Sequence, residues 1–352
     1  MPLSKLNKEQ YRAATAAMGH NLIIASAGTG KTSTIVARIA HLLNSGISAD
    51  KILLLTFTNK AASEMIERLE KYFDGKIIKQ IRAGTFHSVS NLLLKSLGKG
   101  VILKQPSELK TLLKSITDRR QFHRISDTKG YSGAYLYDIY SLFCNSCVNN
   151  ESFEDWFALN YPDQAEFAAI YDDILREFEE TKVQFNYADF NDLLIKMRNE
   201  LKNGSAICFD EILVDEYQDT NSLQGSLIDA FNTKSLFCVG DFDQSIYAFN
   251  GANIEIIGSF KERYIGANIY SLNINYRSSA KILALANKVI ANNPRLYPKS
   301  LEVSRDGEFK SPVLLVYDEL FVQYSAVAEI IAKSRYHKSD IAIIFRNNSS
   351  AD

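Results

Sequence analysis

Between Asn21 and Ile39 the chain reads NLIIASAGTGKTSTIVARI: an apolar run, a turn built on two glycines, then apolar residues at helical spacing. A buried strand feeding a helix through so short a turn is the building unit of a parallel α/β sheet. The turn is also a phosphate grip, because glycines let backbone N–H groups approach phosphate oxygens at a helix N-terminus. Ala27, Gly28, Thr29 and Gly30 form the cradle, with Ser33 in the first helical turn. Lys31 is placed to reach the β/γ-phosphates and the Thr32 hydroxyl to ligate Mg²⁺. Ala25 stands where the general GxxxxGK[ST] pattern has its first glycine, so the strand before and the helix after carry the assignment.

Such a grip needs an acid at the tip of a neighbouring strand. EILVDEYQDTN supplies two, Asp215 for Mg²⁺ and Glu216 to polarise a water for attack on the γ-phosphate. The strand-then-helix texture covers Leu6 to about Ser90, with KILLLTF and IRAGTF as further strands. It returns after residue 203 with EILVDE, SLFCVGD and NIYSLNINYRS. The helix SAKILALANKVIA follows, then the strand PVLLVYD, the helix FVQYSAVAEIIAKS and the strand DIAIIF.

Between them, residues 92–203 lose the strand signal and show helical spacing in SELKTLLKSI, AYLYDIYSLF and EFAAIYDDILREFEE. The expected fold class is therefore α/β with a helical insertion. The insertion is charge-segregated: nine Lys and Arg from Lys95 to Lys129 face only Glu108, Asp118 and Asp127, and the balance reverses from Glu151 to Asp189. Two solvated faces explain this, and so does a basic half lying along a nucleic-acid backbone.

A formal net charge of −1 leaves any polyanion affinity to such local patches. Cys144, Cys147, Cys208 and Cys238 are too few and scattered for a disulfide framework, and the Cys144–Cys147 CxxC has no second pair at zinc-site spacing. No apolar run reaches the roughly 18 residues of a membrane span. The chain is expected in the cytoplasm.

Seven segments, LNKEQ, ASAGTGKT, LLLTFTNKAASEM, AGTFHS, ILVDEYQDTN, VGDFDQSIYAFNGA and LNINYRSS, cover Leu6 to Ser279. Their order and approximate spacing closely resemble those of the UvrD/Rep/PcrA helicases of superfamily 1. The resemblance implies a RecA-like P-loop NTPase domain (residues 1–91 and 204–276) carrying the helical insertion (92–203). The start of a second RecA-like domain (277–352) follows. It implies ATP with Mg²⁺ as the nucleotide, Gln10 on the adenine edge, Tyr276 on the adenine face, Arg277 as an arginine finger and Gln244 as the γ-phosphate sensor. Asp241 and Asp243 lie in the same loop as Gln244, with less definite roles.

The implied partner is DNA. Single strands offer base faces for stacking and phosphates for hydrogen bonds, and three aromatic clusters fall at the family segments. Phe57 and Phe249 are the chief stacking candidates, with Phe86 and Tyr247 beside them and Thr58, Asn59, Thr85 and His87 on phosphates. The resemblance implies an ATP-driven helicase or translocase moving 3′ to 5′ on single strands and at single-strand/duplex junctions.

The chain departs from the family pattern in its third motif, usually close to GDDDQSIYGWRGA. Phe242 replaces an aspartate, Ala248 a glycine, Phe249 a tryptophan and Asn250 an arginine; Ser33 stands where relatives often have an arginine. Family motifs resembling HxAKGLE and VAxTRA do not occur before Asp352. The expectation is thus an N-terminal part of a longer motor, completed by further residues or a partner chain and weakly active alone. Two other functions fit the same segments: the motor subunit of a recombinational helicase–nuclease, and a nucleotide-gated DNA-binding module that regulates without moving.

Overall fold

The computed structural model describes residues 2–121, 132–146, 151–293, 296–297, 299, 301–304 and 310–345. In chain order its strands are β1 (His20–Ala25), β2 (Ile52–Thr56), β3 (Arg82–Thr85), β4 (Ile102–Leu103) and β5 (Tyr187–Ala188). They continue with β6 (Glu211–Val214), β7 (Leu236–Gly240), β8 (Asn268–Leu272), β9 (Ile274–Asn275) and β10 (Glu302–Val303). Six of these form one sheet in the order β3-β2-β6-β7-β1-β8, and every pairing in it is parallel. The α/β expectation holds.

Continuous apolar runs such as Ile52–Leu55 make strands buried on both faces, as a sheet covered by helices on both sides requires. Alternate residues of β1 divide between two cores: Leu22 and Ile24 join one cluster, Ile23 and Ala25 the other. The Lys31–Asn44 helix is fixed to the sheet by a buried ion pair. Arg38 Nε and Nη2 donate to the two carboxylate oxygens of Glu211 at 2.6 and 2.8 Å, and Ser235 Oγ donates to the same carboxylate at 2.9 Å.

The helical region has a core of its own, running from Leu109 to Phe178 and rich in rings such as Trp156, Phe157 and Tyr171. Leu93, Leu94, Leu193, Leu194, Met197 and Leu201 belong instead to a core of the sheet, so the helices Phe86–Ser96 and Phe190–Lys202 form the base on which the insertion stands. At that base, Lys182 is buried among Glu179, Asp189 and Asp192, at 2.6, 3.3 and 2.9 Å. The segregated charges of the insertion meet each other. Arg119 pairs with Glu177, and Arg120 with Asp173 and Glu177. Arg124, Asp127, Lys129 and Cys147 lie outside the described residues, and Cys144 is a buried thiol of the insertion core.

After β8 the chain forms the short parallel pair β9–β10 and the helices Ala280–Ile290 and Leu320–Ala332. Two expectations are corrected here. PVLLVYD and DIAIIF are not strands, because a strand exists by its ladder and neither segment finds one among the described residues. Their side chains are exposed, with Leu314 at 87% and Ile344 at 93%, and the Leu320–Ala332 helix buries no residue.

Candidate nucleotide and nucleic-acid site

In open parallel sheets, ligands bind beyond the carboxyl ends of the strands. Six of the seven segments singled out in the sequence leave the sheet at that edge, and the other, LNKEQ, leads into the Lys8–Ala14 helix before β1. β1 runs into the glycine turn, β2 into Phe57–Asn59, β3 into Thr85–His87, and β6 into Asp215 and Glu216. β7 runs into Asp241–Gln244, and β8 leads through β9 to Tyr276 and Arg277.

The turn is held by its own side chains. Thr29 Oγ1 donates to the Ser26 carbonyl at 2.8 Å, and Gly28 and Gly30 sit at φ +77° and +86°. A Cβ on Gly28 would lie 2.5 Å from the Arg277 Cβ, so the NYRS segment packs directly on the turn. Gly30 caps the Lys31–Asn44 helix without a side chain, leaving first-turn N–H groups for an anion.

A cavity of about 910 Å³ opens above this turn. Gln10, Ala27, Gly28, Gly30, Lys31, Thr32, Ser33, Glu216, Gln244, Tyr276 and Arg277 all line it, which brings together most of the nucleotide-binding residues expected from sequence. Thr29, buried beneath the turn, supports it without facing the cavity. Gln10 is oriented by two bonds: Asn7 N donates to its Oε1 at 3.1 Å, and its Nε2 donates to the Thr29 carbonyl at 2.8 Å. One amide proton and one carbonyl lone pair remain for an adenine edge. Tyr276 is 43% exposed and its hydroxyl accepts from Asn7 Nδ2 at 2.8 Å, which fixes the ring at the cavity wall. Arg68, Lys71 and Tyr72 also line the cavity and were not foreseen. They sit at the end of the Asn59–Glu70 helix and just beyond it, where no local motif marks them.

Lys31 Nζ donates to Glu216 Oε2 at 2.6 Å, and Gln218 Nε2 donates to the same oxygen at 2.9 Å. Glu216 holds φ +51°, a left-handed conformation costing a non-glycine residue roughly 1 kcal/mol or more and found preferentially at functional sites. Beside it, Asp215 is 9% exposed and its Oδ1 has no hydrogen-bond partner among the described residues. Burial pushes its carboxyl up to about 6; Glu216 adds to the push and Lys31 opposes it. A buried acid with an orphaned oxygen fits a hard cation, which takes oxygen ligands. No group of three or more His, Cys, Asp or Glu side chains able to hold a metal occurs among the described residues, so other ligands would be hydroxyl, phosphate and water.

A second cavity of about 320 Å³ lies on the far side of Glu216 and Gln244, which line both. Phe57, Thr58, Asp215, Gln218, Asp219, Ile246 and Tyr247 complete it. The Phe57 and Tyr247 rings approach to 4.8 Å between centroids, and Tyr247 and Phe249 to 5.9 Å. Phe57 is 42% and Phe249 74% exposed, so residues 192 positions apart in sequence form one accessible aromatic row.

The remaining candidates divide. Thr58 and Thr85 cap helices, accepting from Ala61 N at 3.1 Å and Ser88 N at 3.2 Å. Ser88 Oγ lies 3.4 Å from Asn59 Oδ1, which joins the two segments and adds a hydroxyl the sequence reading missed. Phe86 is a correction: it is 6% exposed and packs in the sheet core, where it presents no face to a base. His87 packs edge-on to Phe190, and burial lowers its imidazole to about 4. At neutral pH it is therefore a hydrogen-bonding group without a positive charge.

A parallel sheet with a glycine turn, a lysine and a strand-tip acid pair around one cavity defines a P-loop nucleotide-binding protein of the RecA-like kind. The chain belongs to the UvrD/REP helicase family: that family's N-terminal domain matches residues 6–265, and the UvrD-like helicase C-terminal domain matches residues 270–352. Its relatives include DNA helicase II of Rickettsia typhi, 34% identical over an alignment of 365 positions that covers 97% of this chain and 53% of the relative. ATP-dependent DNA helicase PcrA of Staphylococcus aureus is 32% identical over an alignment of 366 positions that covers 99% of this chain and 49% of that protein. The chain thus spans about half the length of the curated relatives it matches.

Proposed function

We propose that this chain is the ATP-binding part of a DNA helicase that couples ATP hydrolysis to 3′ to 5′ movement on single-stranded DNA. The observation that carries the reading is the shared wall: Glu216 and Gln244 face the nucleotide cavity on one side and the cavity beside Phe57 and Tyr247 on the other. A change at the γ-phosphate therefore reaches the stacking residues through two side chains.

In this reading Gln10 and Tyr276 hold adenine, the glycine turn and Lys31 hold the phosphates, and Glu216 takes the proton of the attacking water. Thr32 and Asp215 would hold Mg²⁺, which supplies charge neutralisation on the β- and γ-phosphate oxygens when bound. Lys31 leaves Glu216 to reach the phosphates, which frees the carboxylate to act as base. Arg277 approaches the γ-phosphate from the second unit and draws the two units together. Phe57, Tyr247 and Phe249 stack on bases, while Thr58, Asn59, Thr85 and His87 bond phosphates. Among the described residues no helix is long and apolar enough to cross a membrane, and the cytoplasm is the proposed site of action.

The domain division at residues 91, 203 and 276, and action at single-strand/duplex junctions, belong to the same proposal. The relatives' further length is where the resemblance puts the last motor motifs, so this chain alone should bind ATP·Mg²⁺ and hydrolyse it slowly. The test is ATP turnover with and without oligo(dT), with Lys31→Ala as the blank. DNA-stimulated turnover supports a motor. Nucleotide-dependent DNA affinity without turnover, in this chain and in any longer product, favours a regulatory module. A chain that binds no nucleotide ends the proposal.

A further inference from the structure

Lys299 lies just before β10, in the second unit, yet its ammonium is buried in the first. It is 7% exposed at the side chain and donates to Asp241 Oδ1 and Asp243 Oδ2, both at 2.6 Å. Its Nζ stands 5.2 Å from the centre of the Phe242 ring. That ring is where the family pattern has an aspartate, and it gives the ammonium a π-face in place of a third carboxylate. The neighbouring Tyr297 anchors the same segment, donating to the Ile257 and Gly258 carbonyls at 3.0 and 3.1 Å.

Asp241 is the centre of a relay. Its Oδ1 accepts from Lys299 and its Oδ2 from Gln244 Nε2. Its backbone N–H donates to Gln218 Oε1 at 2.9 Å, and the other end of that amide donates to Glu216, the partner of Lys31. An unbroken run of hydrogen bonds thus joins the P-loop lysine to a lysine of the second unit. A carboxylate bonded on both oxygens has one orientation, and here that orientation sets the aim of Gln244 into the nucleotide cavity.

We propose that Lys299 is a positioning residue for γ-phosphate sensing: by clamping Asp241 it holds Gln244, and it ties that geometry to the docking of the second unit. Its charge also offsets the buried Asp241 and the half-buried Asp243 carboxylates, which would otherwise repel each other and the triphosphate. The inference rests on the nucleotide-binding reading above, and concerns how that site distinguishes a triphosphate from a diphosphate.

The experiment is calorimetric binding of Mg²⁺·ADP and of the non-hydrolysable Mg²⁺·β,γ-imido-ATP to the whole chain. The wild type should prefer the triphosphate analogue. Lys299→Met should reduce that preference by at least about fivefold while leaving ADP affinity within about twofold, the loss of an orienting charged hydrogen bond. Lys299→Arg should restore the preference, and in a Gln244→Ala background Lys299→Met should add nothing. If Lys299→Met does not fold, Asp243→Asn removes one of the two ionic partners and should give a smaller loss in the same direction. Equal weakening of both nucleotides, an unchanged preference or additive effects with Gln244→Ala would overturn the inference alone. Failure of the wild type to bind either nucleotide would overturn it together with the reading it rests on.

Discussion

Lys31 and Glu216 are bound to each other, Nζ to Oε2, at 2.6 Å. One is the residue expected on the phosphates and the other the expected base, so in the proposed function each must leave the other before it acts. Glu216→Gln should therefore have two effects of opposite sign. Turnover should fall by at least about 100-fold, the contribution of a positioned general base. Affinity for Mg²⁺·β,γ-imido-ATP should rise, because Lys31 no longer leaves an ion pair to reach the phosphates. Titration calorimetry with a phosphate-release assay checks both. Unchanged turnover, in a chain that does hydrolyse ATP, would remove Glu216 from the role of base.

A pH dependence of the site is expected from Asp215. Its carboxyl is pushed by burial from an ordinary 3.8 to about 6, and that of Asp219 likewise. Raised acid values mean the folded chain binds more protons than the unfolded one between those limits, so these groups contribute less stability as pH rises through 6. A cation on Asp215 reverses the preference, because it needs the ionised form. Mg²⁺-dependent nucleotide affinity should thus fall as pH drops below about 6. Asp215→Asn should weaken the metal dependence at pH 7.5 and flatten the profile, with Asp219 accounting for the residual slope. A wild-type profile flat from pH 5 to 8 would rule out Asp215 as the metal ligand.

The glycine turn and the strand-tip acids were legible because their function demands fixed local spacing: a lysine after glycine, a carboxylate after an apolar run. The order of the sheet was not, since nothing local to Arg82–Thr85 says that it lies at the edge beside β2. Phe86 was misplaced for a similar reason. It follows a strand as Phe57 does, but begins a helix that turns its ring into the core. PVLLVYD has a strand's composition and no ladder among the described residues, so apolar sequence proposes a strand and pairing decides it. Arg68, Lys71, Tyr72 and Lys299 reach their positions only through tertiary packing, and no spacing rule could have named them.

The aromatic row predicts losses of DNA affinity that the buried Phe86 does not share. Phe249 is the most exposed of the three rings and Phe57 supports Tyr247. Phe249→Ala and Phe57→Ala should each weaken oligo(dT) binding by about 10-fold, within the range for loss of one base-stacking ring. Phe86→Ala should instead lower the melting temperature, because it opens a cavity in the core. Fluorescence anisotropy and thermal melting together separate the two classes. A Phe249→Ala chain with wild-type DNA affinity would remove that ring from the track.

Arg120 tests whether the insertion's basic half touches nucleic acid or serves its own fold. Its guanidinium pairs with Asp173 and Glu177 on the facing helix, while Arg119 shares Glu177. If self-pairing is its role, Arg120→Glu should destabilise the insertion by repulsion against those acids. Restoring opposite charge with Asp173→Lys and Glu177→Lys should recover part of that stability, since Arg119 then faces Lys in place of its partner Glu177. Partly exposed pairs of this kind contribute modestly, about 1 kcal/mol for the network, so the change is better read by hydrogen exchange in residues 106–119 and 168–184 than by global melting. DNA affinity and its salt slope should stay near wild type in the rescued triple variant. A flatter salt slope with normal exchange protection would return Arg120 to the DNA-binding face, since each phosphate contact removed lowers the slope by nearly one unit.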